Sequence, residues 1–214
     1  MRRLSSLLTL LLLALGPSGC GSLLPKDGSD RAFFVLSDEA RADKGAASKL
    51  DGDARLEAKR LLVRNTKANG FINSHKIIFG ENPRTRGFYQ LASWVEPPPE
   101  RFTLLMMERF EEADLFASVS RLASSTLGDY QINTEITEFY HDISGKPGKI
   151  HIRVAAELID LGRRVVLSSR SFTAVVPAKS YDVEGAVSGF NQATSQVLDE
   201  IFQWTSEVCR NAPA

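Results

Sequence analysis

Apolar and polar side chains alternate with a period of two along the segment from Tyr130 to Tyr140. Ile132 and Ile136 stand on the apolar side of this pattern, with polar residues between them. A period of two places one face of a β-strand on a core and the other face in water. Two more apolar runs follow at 150–159 and 165–176, and the segments between them are rich in Gly, Pro and Asp. Three such runs in succession predict an antiparallel meander.

Apolar residues recur at helical spacing in two other segments. The first follows a run of three prolines at 97–99 and predicts an amphipathic helix that begins near Pro99 and ends near Ala113, because proline is tolerated in a first helical turn. Its apolar stripe comprises Phe102, Leu105, Met106 and Phe110. The second segment, 183–208, keeps helical spacing for about seven turns, which predicts a long C-terminal helix packed on the sheet.

Shorter β-rich runs surround the first helix. They lie at 32–36, 61–63, 76–79, 87–95 and 115–119. Turn-forming Gly, Asn and Pro residues at 80–86 predict a β-hairpin between the third and fourth of these runs. Residues 38–59 are predicted to form a loop, with a helical turn near 55–60. The sequence thus predicts an α/β (α+β) fold in which helices pack on a mixed, largely antiparallel sheet.

The N-terminal segment carries the pattern of a targeting signal. Arg2 and Arg3 precede an apolar run of about nine residues, Leu7 to Leu15, which suits a signal peptide. A bilayer-spanning helix needs roughly 20 apolar residues, so this run is too short to span. Two small residues before Cys20 match the bacterial lipobox, although Pro17 stands where an aliphatic residue is usual. Cys20 is therefore the predicted acylation site; the alternative is plain secretion, with Cys20 as an ordinary thiol.

This signal predicts a division of the chain into three sections. Residues 1–19 are predicted to be a removed lipoprotein signal peptide, 20–30 a flexible lipidated tether with little apolar content, and 31–214 a single globular domain. Gly21 follows Cys20, where Asp would signal inner-membrane retention in many Gram-negative bacteria. The protein is therefore expected on the periplasmic face of the outer membrane, held by its lipid anchor.

Composition narrows the function classes. Hydrophobic residues make up 43% of the chain and charged residues 24%, which is typical of a globular protein. The formal net charge of +0 gives no electrostatic footprint for a nucleic-acid partner. If Cys20 is acylated, Cys209 has no partner within the chain, and no disulfide framework exists. Cys209 is expected to be a half-buried thiol on the terminal helix, with an intermolecular disulfide as the alternative.

Motifs for catalysis, metals and cofactors are not found in the sequence. His75, His141 and His151 lack the i, i+4 pairing or clustered cysteines of a zinc site and are predicted to be structural. The segment Gly145–Lys149 resembles a phosphate loop only superficially, because no helix follows it, and a hairpin turn explains it better. Glycine-rich nucleotide loops and a serine-hydrolase elbow are also missing. No enzyme activity, cofactor or metal is therefore predicted.

Three charged or aromatic features have a structural interpretation as well as a functional one. Glu135 and Glu138 are expected on opposite faces of their strand, so they cannot form a carboxylate pair. The acidic face of the first helix, which also carries arginines, is predicted to be solvated surface. Trp94, with Pro97 and Pro98 after it, is predicted to anchor the strand-to-helix corner in the core, with partner contact as the other possibility.

The order of these elements resembles the ABC-type transport auxiliary lipoprotein family, which includes the paraquat-inducible C lipoprotein that works beside Mce-type lipid transporters. The resemblance covers residues from about 20 to 208 of the printed sequence. Its features are Cys20, the strands Phe33-Phe34-Val35-Leu36 and Ile77-Ile78-Phe79, the corner Trp94 to Pro99, the helix ending before Leu115-Phe116-Ala117-Ser118-Val119, the strand through Ile136-Thr137-Glu138-Phe139, and the terminal helix.

The resemblance implies a non-enzymatic role in moving lipids between the inner and outer membranes. Its implied partners are an Mce-domain protein, the permease and ATPase of an ABC transporter, and other copies of the chain in a ring-like homo-oligomer. Two alternatives stay open from the residues. One is an outer-membrane assembly lipoprotein that binds lipopolysaccharide or a barrel protein, and the other is a membrane-anchored periplasmic hydrolase.

Overall fold

The computed structural model describes residues 31–39, 56–123 and 127–213, which belong to one compact unit spanning 31–214. The strands are β1 (Ala32–Phe34), β2 (Arg60–Val63), β3 (Lys67–Ala68), β4 (Lys76–Gly80), β5 (Gly87–Trp94), β6 (Ser118–Arg121), β7 (Tyr130–Asp142), β8 (Lys149–Asp160) and β9 (Val165–Pro177). The helices are α1 (Pro98–Glu112) and α2 (Val183–Asn211). The predicted mixed α/β fold with a long C-terminal helix is confirmed.

Strand β7 organises the sheet. One of its edges pairs with β8 in antiparallel register, and β8 pairs in turn with β9, so the predicted meander is confirmed. The other edge pairs in parallel with β2, then β3, then β4 along its length. Beyond these, β6 pairs with β2, β5 pairs with β4, and β1 pairs in parallel with β5. Strands β2, β3 and β4 are each much shorter than β7, so they pair with successive parts of the same β7 edge.

Both helices cover the same face of the sheet. The apolar side chains of the period-two pattern point to that face, and Ile132, Ile136, Ile152 and Val154 are each at most 1% exposed. Helix α2 packs on β8 and β9, and α1 packs on α2 and β6. Burial of these side chains supplies most of the stabilisation, at about 25 cal/mol per Å² of apolar surface. We call the opposite side of the sheet the open face.

The ends of the two helices follow their sequence signals. Pro97 caps α1, and Pro98 occupies its first turn, so the helix starts one residue before the predicted Pro99. Asp182 caps α2: its side chain accepts a hydrogen bond from the backbone N–H of Gly185 at 2.7 Å. Neither helix of the described residues combines the length and apolar composition that crossing a bilayer requires.

A β-bulge corrects the prediction for the two glutamates of β7. Glu135 lies opposite Ala155 and Glu138 opposite Arg153, so a register shift falls between them at Thr137. The extra residue reverses the alternation after it. Glu135 and Glu138 therefore both lie on the open face, and the expectation of opposite faces was wrong. Glu138 faces Arg153 at 3.6 Å rather than a second carboxylate.

Several shorter elements also differ from their predicted bounds. The run predicted at 115–119 forms a strand only from Ser118, because Leu115 and Phe116 pack into the core. The helical turn predicted near 55–60 is a single hydrogen-bonded turn that Lys59 closes on Leu56 at 2.8 Å. Residues 40–55 of the predicted loop lie outside the described residues. Strand β3 was not predicted, because two residues are too few to carry a periodic signal.

Candidate functional site

The residue with the clearest sequence signal, Cys20, lies outside the described residues, as do the leader and the tether. Lipidation at Cys20 therefore stays a prediction. The described chain begins at Arg31, whose guanidinium donates to the backbone carbonyl of Gln90 at 3.2 Å. The first strand, β1, is thus held against β5 from its first residue onward.

Trp94 lies in the core at the predicted corner. Its side chain is 1% exposed and meets the rings of Phe139 and Phe190 edge-on, at centroid distances of 6.1 and 5.5 Å. Those two rings stack on each other at 4.5 Å. The trio joins β5, β7 and α2. Burial of Trp94, with Pro98 also buried, favours the core-anchor interpretation over partner contact for this corner, whose Pro97 is partly exposed.

An ion-pair cluster that the sequence did not reveal fastens the N-terminal segment to both helices. The guanidinium of Arg109, on α1, contacts the carboxylates of Asp38 and of Asp199 on α2. The side chain of Asp38 is only 1% exposed, whereas that of Asp199 is 39% exposed. Arg109, predicted to lie on a solvated face of α1, is thus largely buried, with 11% of its side chain exposed. A buried carboxylate with a guanidinium partner instead makes this contact a fixed attachment of the segment that follows the tether.

Two further contacts hold the same segment. The Arg101 guanidinium donates to the carbonyl of Leu36 at 3.0 Å, and the backbone N–H of Ser37 donates to Asn191 at 3.0 Å. The segment 31–39, which follows the predicted tether, is therefore attached to both helices.

The histidines occupy structural positions. His141 is 0% exposed, its Nδ1 lies 2.8 Å from the Tyr89 hydroxyl, and its Nε2 lies 3.1 Å from the carbonyl of Pro147. Burial lowers the pKa of His141 and raises the pKa of Tyr89 to about 12. A neutral imidazole fits this pair: Nε2–H donates to the carbonyl while Nδ1 accepts from the hydroxyl.

The hairpin turn at Gly145–Lys149 closes over that histidine. Gly148 has a φ of +94°, and a Cβ at this position would clash with the ring of His141 and with the carbonyl of Asp142. Only glycine meets both requirements. The predicted hairpin turn is confirmed, and the glycine serves packing rather than phosphate binding.

The other histidines and Cys209 lie apart from one another in the part of the chain that the structure describes. His75 Nδ1 lies 3.1 Å from the carbonyl of Trp94, and the His151 ring stacks on Tyr140 at 5.0 Å. Cys209 lies on α2 at 3% exposure, more deeply than predicted, and burial raises the pKa of its thiol to about 12. Such a thiol is a poor nucleophile. Within the residues that the structure describes, no group of three His, Cys, Asp or Glu side chains is placed to hold a metal ion.

A groove of about 610 Å³ lies on the open face. Its lining includes the apolar side chains of Phe71 and Ile78 and the basic side chains of Arg84 and Arg86. The Arg86 guanidinium lies 3.8 Å from the centroid of the Tyr140 ring. The lining thus offers cations, aromatic surface and the carboxylate of Glu138, which lies 3.6 Å from the Arg153 guanidinium.

Known proteins resemble this chain in sequence and in fold. A family model described as ABC-type transport auxiliary lipoprotein component matches residues 42–202. A Xanthomonas campestris protein of family DUF330 superposes with a TM-score of 0.73 at 23% identity, over 84% of this chain and 97% of that chain. An uncharacterised protein gives 0.60 at 14% identity, over 82% and 98%. The two structural similarities show the fold alone.

A weaker match is an assembled protein. The PelC dodecamer from Paraburkholderia phytofirmans gives a TM-score of 0.41 at 18% identity, over 71% of this chain and 92% of that chain. A likeness this slight does not bear on how the present chain assembles. No curated protein sequence matches the chain.

Proposed function

We propose, from the premise that this chain belongs to the ABC-type transport auxiliary lipoprotein family, that it is a non-enzymatic outer-membrane component of an Mce-type lipid transporter. Membership implies a membrane-anchored envelope protein that associates with an ABC transporter. The finer proposal adds the acylated residue, Cys20, the outer membrane as its location, and an Mce-domain protein as its partner across the periplasm.

The match of the family model to residues 42–202 is the observation that carries this proposal. The matched range contains β2 to β9, α1 and the first two thirds of α2, so it concerns most of the described domain rather than one motif. The lipobox pattern at Cys20 lies outside the matched residues and supports the anchor separately.

The anchor explains how a modest protein interface suffices. Each buried CH₂ of an acyl chain contributes about 0.8 kcal/mol, so two or three chains hold the domain on its membrane for the lifetime of the protein. Confinement to a surface raises the effective concentration at a partner fixed across the periplasm. The Arg109 cluster then links the segment that follows the tether to the helix layer, so that the anchor keeps the domain within the reach of the tether.

Non-enzymatic function is supported by the chemistry of the described residues. Their histidines are engaged in packing, and the thiol of Cys209 is buried. The groove on the open face is lined by cations, aromatic residues and one carboxylate, that of Glu138, which pairs with Arg153. A binding or tethering role requires a stable domain and a surface that contacts a partner, and it requires no reactive side chain.

Affinity purification from native envelopes tests the proposal. The tagged wild-type chain is expected to co-purify with an ABC permease, its ATPase and an Mce-domain protein, and Cys20→Ala is expected to lose outer-membrane fractionation. Cys209→Ala is the matched control and should behave as wild type. Co-purification with a barrel protein would favour the outer-membrane assembly role instead, and lipid turnover by the purified protein would favour a hydrolase.

A further inference from the structure

Four large apolar side chains lie exposed at the β1–β5 edge of the sheet. Phe33 is 65% exposed, Leu91 55%, Val35 50% and Val95 46%. Burying such side chains elsewhere stabilises this domain, so their exposure together is unfavourable unless something covers them. We call this set the apolar edge.

The four side chains share one face. Phe34 pairs with Trp94 in the β1–β5 ladder, and both point toward the helices, so Phe33 and its partner Ser93 point to the open face. Leu91 alternates with the buried Ala92 and therefore points the same way as Phe33. The backbone N–H of Val95 donates to Phe34 at 2.8 Å, which continues the ladder and brings Val35 and Val95 onto the same side.

Cations and a further ring surround the apolar edge. Lys76 pairs with Ser93 across the β4–β5 ladder, and its ammonium lies 4.3 Å from the centroid of the Phe88 ring and 5.7 Å from that of Phe71. Arg31 lies at the start of β1. Aromatic and aliphatic side chains flanked by basic ones are the composition that favours the boundary between acyl chains and anionic headgroups.

The position of the apolar edge in the chain indicates what covers it. Arg31 follows Cys20 by eleven residues, which span at most about 40 Å even when fully extended. The first structured residues after the predicted acylation site are therefore the ones that carry the exposed apolar side chains. A chain fixed to a bilayer at Cys20 keeps β1 within that distance of the lipid surface, where a weak affinity suffices.

We propose that the apolar edge rests on the lipid surface that holds acylated Cys20, with Phe33 and Leu91 inserted at the headgroup boundary. The proposal rests on the lipid anchor of the proposed function. It fixes the orientation of the domain: β1 and β5 face the membrane, and β9, at the other edge of the sheet, points into the periplasm. Five strand spacings separate β1 from β9, which places the far edge about 24 Å from the near one.

The test uses the full acylated chain reconstituted in phosphatidylethanolamine and phosphatidylglycerol vesicles. In a Cys209→Ala background, an environment-sensitive fluorophore is attached at Phe33→Cys, at Leu91→Cys and, as the matched control, at Val175→Cys. Val175 is 49% exposed and lies on the open face of β9. Flotation of the vesicles reports the anchor, and quenching by brominated lipids reports contact with the bilayer.

We expect brominated lipids to reduce emission at least two-fold at positions 33 and 91 and to leave position 175 unchanged. Flotation with no quenching at 33 and 91 would overturn the proposal while leaving the anchor intact. Equal quenching at all three positions would overturn it too, because the edge would then not be the part that faces the membrane. Blue-shifted emission at 33 and 91 that brominated lipids do not quench would also overturn it, because the apolar edge would then be covered by another copy of the chain, the only protein in the vesicles. Failure to float would instead reject the anchor itself.

Discussion

Replacing Trp94 tests how the strand-to-helix corner is held. The indole is 1% exposed and meets the rings of Phe139 and Phe190, which belong to β7 and α2. Its Nε1 has no hydrogen-bond partner among the described residues. Trp94→Ala removes the whole ring system, whereas Trp94→Phe keeps one ring and gives up no hydrogen bond.

The two variants should therefore differ widely in stability. Truncation of a buried tryptophan to alanine costs about 3–5 kcal/mol through lost transfer energy and the cavity that remains. Each edge-on aromatic pair contributes about 0.5–1.5 kcal/mol of that amount. For Trp94→Phe we expect a loss below about 2 kcal/mol, because removal of an unpartnered buried N–H, worth about 1–3 kcal/mol, offsets part of the lost volume.

Urea unfolding followed by far-ultraviolet circular dichroism measures both losses, and Trp204 remains as a fluorescent reporter in either variant. Val175→Ala is the control, since an exposed truncation on β9 should change the free energy of unfolding by less than about 0.5 kcal/mol. The reasoning fails if Trp94→Ala costs less than about 1 kcal/mol. It also fails if Trp94→Phe costs as much as Trp94→Ala, since the indole N–H would then be engaged.

Other predictions concern single groups. The pKa of His141 is lowered from 6.5 by burial, so stability should fall as pH drops below 6.5 towards the folded pKa, and His141→Gln should flatten that slope in denaturation measured from pH 7 to 5. The Cys209 thiol should resist a thiol reagent in native acylated protein and react fully in urea; rapid native reaction would contradict its burial. Arg109→Ala should cost about 3–5 kcal/mol in urea unfolding by stranding Asp38, whereas Asp199→Ala should cost under about 1 kcal/mol, and equal losses would refute this.

Elements with a strong local period were predictable from the sequence. Strands β7, β8 and β9 and both helices carry their signal within each segment, because the alternation of burial along a strand or helix is written in consecutive residues. The bulge at Thr137 was not predictable in this way. It depends on the register against β8, which no window of β7 alone contains, and it reversed the faces expected for the glutamates.

Contacts between distant segments were also beyond the sequence. Asp38 and Arg109 are separated by 71 residues, and the pairing of β1 with β5 joins segments about as far apart. The run Phe33-Phe34-Val35-Leu36 predicted a strand but not that alternate side chains would be exposed, because their exposure follows from helices that cover only one face of the sheet. The predicted acylation signal at Cys20 is different, since a peptidase would recognise it as a sequence, without any contribution from the fold.

The mass of the mature N-terminus, measured on protein isolated from membranes of the native host, tests whether a lipid-anchored domain is the right description of this chain. We expect a polypeptide that starts at Cys20 and carries acyl groups on that residue. An unmodified terminus, or one at any other position, would contradict the anchor, the proposed location and the orientation inferred for the apolar edge together.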